Sequence, residues 1–441
     1  MPERHRDTRR FIINSRYRST AFRLWTSTEE DYPMRNVRRR LVFAVLAVSV
    51  PLGVSAAAEQ TADAHWVTAW GTSQQTLGDT ALTDVTVRLM ARVTATGESI
   101  RIRLDNSYGT RSLVVGAAAV GASMRGAILT PGSSRVVFFD GATRVTIPPG
   151  GSVQSDPVVM PVLAQQDLAI SLHLPEVNVR PSQHNGAKVT SFLTANGGGD
   201  HTRDESANAF TQTTTAMFWL KSIDVLGSTS AGTIVAFGDS ITDGSCATDD
   251  AHDRWQDWVA VRLQLDAMNG VHKAVVNEGI GGNTVTANVS PAPSSMPGLE
   301  RLERDVLNHS GVTHVVLFMG TNDIRREATA TQVIAGIQEI IDRVHAEEMK
   351  VVGATIIPRH DRAPTENNTG WTPGKTATRN EVNNWIRNDA PFDGVLDFDL
   401  MVQDEADPDL IESSLNCDGI HPNPRGYYEM GSNVNLDLFK D

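Results

Sequence analysis

The first half of the chain is dominated by an alternation of apolar and polar residues. Between residues 99 and 104 every second residue is Ile or Leu, which is the period of a half-buried β-strand. The same period returns at residues 168–174, and clusters of Gly, Pro, Asn and Ser predict turns at short intervals. We therefore predict that residues 61–226 form an accessory domain, an antiparallel β-sandwich or a jelly-roll-like fold.

The pattern changes after a joint of small residues at 227–232. From there on, short and nearly continuous apolar runs alternate with amphipathic stretches of helical period. Such runs are typical of strands buried on both faces. The runs occupy residues 233–237, 274–276, 315–319, 351–356 and 395–398. Alternating strands and helices predict a parallel sheet with helices on both faces, and we assign this α/β domain to residues 230–441.

The N-terminal part of the chain has the composition of a targeting segment. From Met34, four arginines precede an uncharged run at residues 41–54, which leads into Ser-Ala-Ala-Ala. This order is that of a secretory signal peptide. An uncleaved anchor is the weaker interpretation, because the uncharged run is shorter than the roughly 20 residues that span a membrane. We predict a signal peptide at 34–58, a non-native or upstream extension at 1–33, and a secreted or periplasmic protein.

Composition and charge exclude several classes of function. The 441 residues include 52 acidic and 39 basic side chains, and the formal charge of -13 disfavours general binding to nucleic acid or to anionic membranes. Two cysteines are too few for a disulfide scaffold or a four-thiolate metal site. The histidines lack the spacing of metal ligands. We therefore predict no cofactor and no catalytic metal.

Candidate chemistry is concentrated in four polar, glycine-containing segments. Three of them directly follow predicted strands, at residues 238–244, 277–283 and 320–323, and the fourth lies at 418–423. In an open parallel sheet, ligands bind beyond the carboxyl ends of the strands. The four segments are therefore expected to meet at one edge of the sheet and to form a site there.

The residue types in these segments suit nucleophilic attack on an ester. A serine such as Ser240 is a poor nucleophile until a neutral imidazole takes its proton, and Asp418 with His421 can supply and orient that imidazole. The attack creates an oxyanion, which needs hydrogen-bond donors. The backbone N–H groups of Ser240 and Gly282 and the side-chain amide of Asn322 are suited to that task.

Each of these residues also has a structural interpretation. Ser240 could cap a helix, because serine is common at the first position after a strand. His421 could be a turn residue, Asn322 could form an Asx turn, and Gly281 could take the place of Gly282. The presence of all four segments in one chain favours the catalytic interpretation.

The four segments resemble the signature blocks of the SGNH, or GDSL, hydrolase family. The blocks are Gly-Asp-Ser at 238–240, Gly282, Gly-Thr-Asn-Asp at 320–323 and Asp-Gly-Ile-His at 418–421. The resemblance covers about residues 230–441. It implies a flavodoxin-like three-layer α/β/α sandwich with strand order 2-1-3-4-5, and the site roles given above. With its preceding β domain, the chain is similar to secreted bacterial members that include acetylesterases, arylesterases and lysophospholipase-like proteins.

Two cysteines lie next to the proposed catalytic residues. Cys246 follows Ser240 by six residues, and Cys417 immediately precedes Asp418. If both loops surround one site, the two sulfurs can meet, and we hypothesise a Cys246–Cys417 disulfide. The alternative is two separate buried thiols.

The sequence thus predicts a secreted serine ester hydrolase that works through an acyl-enzyme. The polar segments around the site favour removal of acetyl or other short acyl groups from carbohydrate. A lysophospholipase or arylesterase is the enzymatic alternative. A carbohydrate-binding protein with an inactive hydrolase scaffold is the alternative from another class. The expected partner is a carbohydrate-linked ester, and neither nucleic-acid binding nor stable membrane anchoring is predicted.

Overall fold

The computed structural model describes residues 65–227, 230–265, 271–365 and 368–440. The predicted extension at 1–33 and the predicted signal peptide at 34–58 lie outside the described residues. Among the helices of the described part, none combines the length and the apolar character that crossing a membrane requires.

Residues 66–226, here termed the β half, contain only strands and connecting loops as regular structure. In chain order the strands are β1 (Trp66–Gly71), β2 (Thr76–Leu77), β3 (Val85–Arg92), β4 (Gly97–Asp105), β5 (Leu113–Val115), β6 (Ala117–Arg125), β7 (Ile128–Leu129), β8 (Arg135–Val136), β9 (Val145–Ile147), β10 (Ser152–Gln154), β11 (Val158–Val162), β12 (Asp167–Leu174), β13 (Ser182–His184), β14 (Ser191–Leu193), β15 (Gln212–Thr214), β16 (Met217–Phe218) and β17 (Leu220–Leu226).

Two antiparallel sheets form the body of the β half. One has the order β1-β17-β4-β10 with β11 also paired to β4, and the other has the order β15-β14-β3-β12-β6-β7 with β8 paired to β6. The alternating apolar residues of β4 and β12 lie in the same hydrophobic cluster. They are Ile100, Ile102, Leu104, Leu168, Ile170 and Leu172. Two antiparallel sheets that share one core confirm the antiparallel β-rich fold predicted for this half.

Residues 230–440, termed the α/β half, alternate strands with helices. The strands are β18 (Thr233–Gly238), β19 (Ala274–Gly279), β20 (Val312–Phe318), β21 (Lys350–Ala354) and β22 (Gly394–Leu396). The α-helices are α1 (Ser240–Asp243), α2 (Trp255–Leu265), α3 (Gly298–Leu302), α4 (Thr321–Arg325), α5 (Ala330–Ala346), α6 (Pro373–Asn388), α7 (Phe398–Val402) and α8 (Pro424–Asn433). A π-helical segment (Glu303–Leu307) follows α3, and a 3₁₀ turn (Leu436–Phe439) follows α8.

The five strands of the α/β half form one parallel sheet in the order β19-β18-β20-β21-β22. This is the predicted order 2-1-3-4-5, and it places β18 between β19 and β20. Ile234 and Ala236 of β18 pack into one hydrophobic cluster, whereas Val235 and Phe237 pack into another. Both faces of the strand are therefore covered, which explains its nearly continuous apolar sequence. The predicted fold class is confirmed.

The two halves are hydrogen-bonded near the amino ends of β18 and β19 of the parallel sheet. The backbone N–H of Thr68 donates to the carbonyl of Ser310 over 2.9 Å. The hydroxyl of Thr233 donates to the carbonyl of Thr68, and the N–H of Val275 donates to the hydroxyl of Thr94, each over 2.9 Å. The strand that leads to Ser240 is thus held at its start by the β half.

A buried group of charges also joins the halves. It consists of Lys221 on β17, Glu278 on β19, Arg301 on α3 and Asp305, here termed the interface ion cluster. The ammonium of Lys221 lies 2.5 Å from a carboxylate oxygen of Asp305 and 3.3 Å from one of Glu278. Burial by itself raises the pKa of Asp305, but Lys221 and the neighbouring guanidiniums hold that pKa well below its ordinary value. Asp305 therefore remains ionised inside the protein.

Candidate active site

Ser240 lies at the turn between β18 and α1. The strand ends at Gly238, and the carboxylate of Asp239 accepts a hydrogen bond from the backbone N–H of Ile241 over 3.0 Å, which caps the helix. Burial raises the pKa of Asp239 to about 6. Ser240 itself is 8% exposed. The sharp turn thus presents the serine at the carboxyl edge of the sheet.

The imidazole of His421 reaches Ser240 from a loop that lies 181 residues further along the chain. Its Nε2 is 2.9 Å from the Oγ of Ser240. Its Nδ1 is 2.9 Å from the Oδ2 and 3.2 Å from the Oδ1 of Asp418. Hydroxyl, imidazole and carboxylate are therefore joined in one continuous hydrogen-bonded chain.

Asp418 is fixed by its own loop. Its Oδ1 accepts hydrogen bonds from the backbone N–H groups of Ile420, over 3.0 Å, and His421, over 2.9 Å. The side-chain hydrogen bond from His421, aided by these donors, lowers the pKa of Asp418 well below its ordinary value. A carboxylate that stays ionised keeps the proton of the imidazole on Nδ1 and leaves Nε2 free to accept one.

The three predicted oxyanion donors lie around the same cleft as Ser240 and His421. Within the described residues, the backbone N–H groups of Ser240 and Gly282 make no hydrogen bond. Gly282 has a φ of 73°, a conformation that a residue with a Cβ adopts only with strain. The side-chain amide of Asn322 makes one long contact of 3.4 Å to Asp239. All three donors are thus available to a ligand oxygen.

Asp323 connects two of the loops that carry these donors. Its carboxylate accepts hydrogen bonds from the backbone N–H of Val285, over 2.9 Å and 3.0 Å, and of Thr286, over 3.1 Å. Burial raises the pKa of Asp323 to about 7. The contacts tie α4, which carries Asn322, to the segment that follows Gly282.

Two buried side chains that support the site, those of Arg301 and His184, lie outside the four polar, glycine-containing segments of the sequence. Arg301 of the interface ion cluster donates to the carbonyl of Gly238 over 2.9 Å and to the side chain of Asn283 over 3.0 Å. It therefore holds both the turn before Ser240 and the loop of Gly282. His184 of the β half has its Nε2 at 3.0 Å from Asp243 on α1. Burial alone lowers the pKa of His184, but the Asp243 carboxylate raises it on balance.

Cys246 and Cys417 form a disulfide in the structure, with their Cα atoms 6.4 Å apart. The bridge links the loop after α1 to the loop of Asp418 across 171 positions of sequence. The Sγ of Cys246 lies within 4.8 Å of the carboxylate of Asp418 and of the imidazole of His421. A disulfide sulfur is not a thiolate, so this trio lacks the ligand that a metal ion would need from cysteine.

Removal of the disulfide is expected to destabilise the protein. The double variant Cys246→Ser/Cys417→Ser should lose about 2–5 kcal/mol of unfolding free energy, because the crosslink restricts a long loop of the unfolded chain. Urea denaturation of the oxidised wild type and of the variant measures this difference. Adding a reductant should destabilise the wild type but leave the variant unchanged. Equal stabilities of the two proteins would contradict the prediction.

The cleft above Ser240 is open to solvent and has a volume of about 310 Å³. Its wall includes four of the predicted site residues, namely Ser240, Gly282, Asn322 and His421. Its other lining residues are Ser245, Gly281, Arg325, Arg359, Asn368 and Ile420. Ile420 is the one large aliphatic side chain among these described residues.

Comparison with known proteins identifies relatives of the α/β half. A model of the GDSL-like lipase/acylhydrolase family matches residues 236–428. No curated protein matches the chain. Among solved structures, a member of the lipolytic G-D-S-L family from Veillonella parvula is 22% identical, with a TM-score of 0.34 over 46% of this chain and 95% of that one. A carbohydrate acetylesterase family member from Sinorhizobium meliloti is 18% identical, with a TM-score of 0.36 over 46% and 94%.

Proposed function

We propose, from the match of the GDSL-like lipase/acylhydrolase family model to residues 236–428, that the chain is an exported esterase that removes acetyl or other short acyl groups from carbohydrate. One observation carries the catalytic part of the proposal. It is the 2.9 Å contact between the Oγ of Ser240 and the Nε2 of His421, with Asp418 on the far side of the ring.

The proposed reaction uses His421 twice. His421 first takes the proton of Ser240 as the oxygen attacks the ester carbonyl, which breaks the carbonyl π bond and leaves a tetrahedral oxyanion. The N–H groups of Ser240 and Gly282 and the amide of Asn322 donate to that oxyanion. When the oxyanion collapses, the bond to the alcohol breaks and His421 protonates the departing oxygen. His421 then takes a proton from a water molecule as the water oxygen attacks the carbonyl of the acyl-enzyme. When this second tetrahedral oxyanion collapses, the bond between the acyl carbon and the Oγ of Ser240 breaks, His421 returns the proton to Oγ, and the carboxylic acid leaves.

The residue types that line the cleft support a short acyl group. A long acyl chain needs an extended apolar surface beside the nucleophile. Apart from Ile420, the described lining residues are arginine, asparagine, serine, histidine and glycine. An open cleft also accommodates a bulky polar alcohol such as a sugar unit. Export is part of the same proposal and depends on the signal-type segment at 34–58.

A series of acyl chain lengths tests the proposed specificity. With 4-nitrophenyl esters, kcat/KM should not rise between the acetate and the octanoate, because Ile420 is the one large aliphatic side chain of the described lining residues with which the added methylenes could pack. The enzyme should also release acetate from acetylated xylan, and a serine-directed inhibitor should abolish both activities. Faster turnover of octanoate or of a lysophospholipid would overturn the short-acyl proposal in favour of a lipolytic enzyme. Complete inactivity on all esters would favour a carbohydrate-binding protein.

A further inference from the structure

Two arginines lie beside Ser240 in the cleft without an acidic partner. Arg325, at the end of α4, is 9% exposed, and Arg359, in the loop after β21, is 5% exposed. Within the described residues, neither guanidinium forms an ion pair with a carboxylate. By contrast, the buried Arg301 and Arg379 both have carboxylate partners.

The contacts of Arg359 leave much of its hydrogen-bonding capacity unused. One Nη contacts the hydroxyl of Thr321 at 3.4 Å, and the guanidinium lies over the ring of Trp371, with its Cζ 5.0 Å from the centroid. Its Nε is buried and has no hydrogen-bond partner. A guanidinium has five N–H donors, so Arg359 retains donors for a ligand.

Arg325 is anchored through its main chain and not through its guanidinium. Its carbonyl accepts a hydrogen bond from the ammonium of Lys375 over 2.9 Å and another from the hydroxyl of Thr369. No side-chain hydrogen bond of Arg325 is present in the described part of the chain. The backbone is therefore fixed, while the guanidinium lines the cleft.

The two positive charges are held in an unfavourable environment. Burial, reinforced by the charge of Arg325, lowers the pKa of Arg359 to about 10, and burial also lowers the pKa of Arg325. Asp239 and Asp418 attract Arg359 only from a distance, since Asp239 caps α1 and Asp418 binds His421. A buried charge without a partner is costly, and a ligand oxyanion would offset that cost.

Sheet topology places the arginines on one side of the nucleophile. Gly281 and Gly282 follow β19, whereas Arg325 follows β20 and Arg359 follows β21. Since β18 lies between β19 and β20, the arginines are on the side of Ser240 opposite to the glycines. An ester that spans the site therefore meets the arginines at only one of its ends.

We propose that Arg325 and Arg359 together bind a carboxylate on the alcohol part of the ester. This inference rests on the proposed function, because an acetyl group has no charge and the anion must then belong to the alcohol. Guanidinium groups bind carboxylates through paired N–H donors. The substrate class is accordingly an acyl ester of an acidic sugar, such as a uronic acid unit of a polysaccharide.

Matched aryl acetates test this proposal. The probes are 3-acetoxybenzoate, its neutral analogue 3-acetoxybenzamide and 3-acetoxyphenyl phosphate, and each kcat/KM is divided by the rate of alkaline hydrolysis of the same ester. The wild type should prefer the carboxylate over the amide at least about tenfold, mainly through a lower KM, as expected for a charge-assisted pair of hydrogen bonds. Arg325→Gln and Arg359→Gln should each lower this ratio towards one.

The ratio of the normalised kcat/KM values for the carboxylate and the amide stays valid when a variant is partly unfolded, because loss of folded enzyme lowers both values equally.

Arg359→Lys should keep part of the preference for the carboxylate. Arg144→Gln, which removes one exposed arginine of the β half, should keep all of it. Equal normalised kcat/KM values of the wild type for the amide and the carboxylate would overturn the proposed role of the arginines but not the proposed function. An unchanged ratio in both glutamine variants would do the same. Inactivity on every probe would overturn the proposed function as well. A preference for the phosphate would replace the acidic sugar by a phosphorylated alcohol.

Discussion

Ser240→Ala is expected to lower kcat on 4-nitrophenyl acetate by about 10⁴-fold or more, because no other hydroxyl of the described residues contacts the Nε2 of His421. The residual rate should come from the oxyanion donors alone. The hydroxyl of Ser240 donates to the Nε2 of His421, and within the described residues this is the only hydrogen bond of the Ser240 side chain. The free energy of unfolding should therefore change by less than about 1 kcal/mol.

Ser245→Ala is the matched control for this substitution. Ser245 lines the same cleft. Its backbone N–H donates to the carbonyl of Ser240 over 2.9 Å and its carbonyl accepts from the hydroxyl of Tyr427 over 2.7 Å, but its side chain makes no hydrogen bond within the described residues. Its variant should retain turnover within a few-fold of the wild type. Near-normal turnover by Ser240→Ala, with a normal unfolding transition, would end the assignment of the nucleophile.

Arg301→Met is expected to cause the largest loss of stability. Arg301 is fully buried and donates to the carbonyls of Gly238 and Glu278, to the side chains of Ser73 and Asn283, and to Asp305. Methionine fills similar space but donates none of these hydrogen bonds, so Gly238 keeps only the N–H of Ile280 and Asp305 keeps only Lys221 and Arg304 among the donors of the described residues. We expect a loss of about 3–5 kcal/mol in urea unfolding, as for other buried charges that lose a partner.

The same substitution should also reduce kcat, since the carbonyl of Gly238, before Ser240, loses the shorter of its two hydrogen bonds and keeps the 3.2 Å one from the N–H of Ile280. Arg144→Met in the β half removes an exposed arginine of the same size, and it should change the unfolding free energy by less than about 0.5 kcal/mol. Similar unfolding midpoints for the Arg301 and Arg144 variants would show that the interface ion cluster is not a major source of stability.

The sequence could predict the fold and the positions around Ser240 for a common physical reason. Buried parallel strands have apolar sequences, and their carboxyl ends lie at one edge, so polar residues after each strand converge. Gly282 and Asn322 follow this rule. Asp418 and His421 lie further along the chain, after β22 and α7, and their place in the site is predicted instead by the chemistry of the pair and by the resemblance of their segment to a signature block. The proximity of Cys246 and Cys417 could be inferred because both lie close in sequence to residues of the site.

The supporting residues could not be predicted in this way. Arg301 and His184 act across the boundary between the two halves, and no spacing relates them to Ser240. Arg325 and Arg359 are single arginines in polar segments, where most arginines are solvated. Their importance depends on burial and on the lack of an acidic neighbour, and both properties arise only when the chain is folded.

The position of Lys221 limits which substitutions the two halves can accept independently. It belongs to β17, yet the charges that it neutralises, Glu278 and Asp305, belong to the half that carries Ser240. A neutral residue at 221 would need compensating replacements at 278 or 305, so mutations in the two segments are coupled. The sandwich therefore cannot be exchanged as an independent module, and shuffling it between homologues requires that these acids be transferred or redesigned with it.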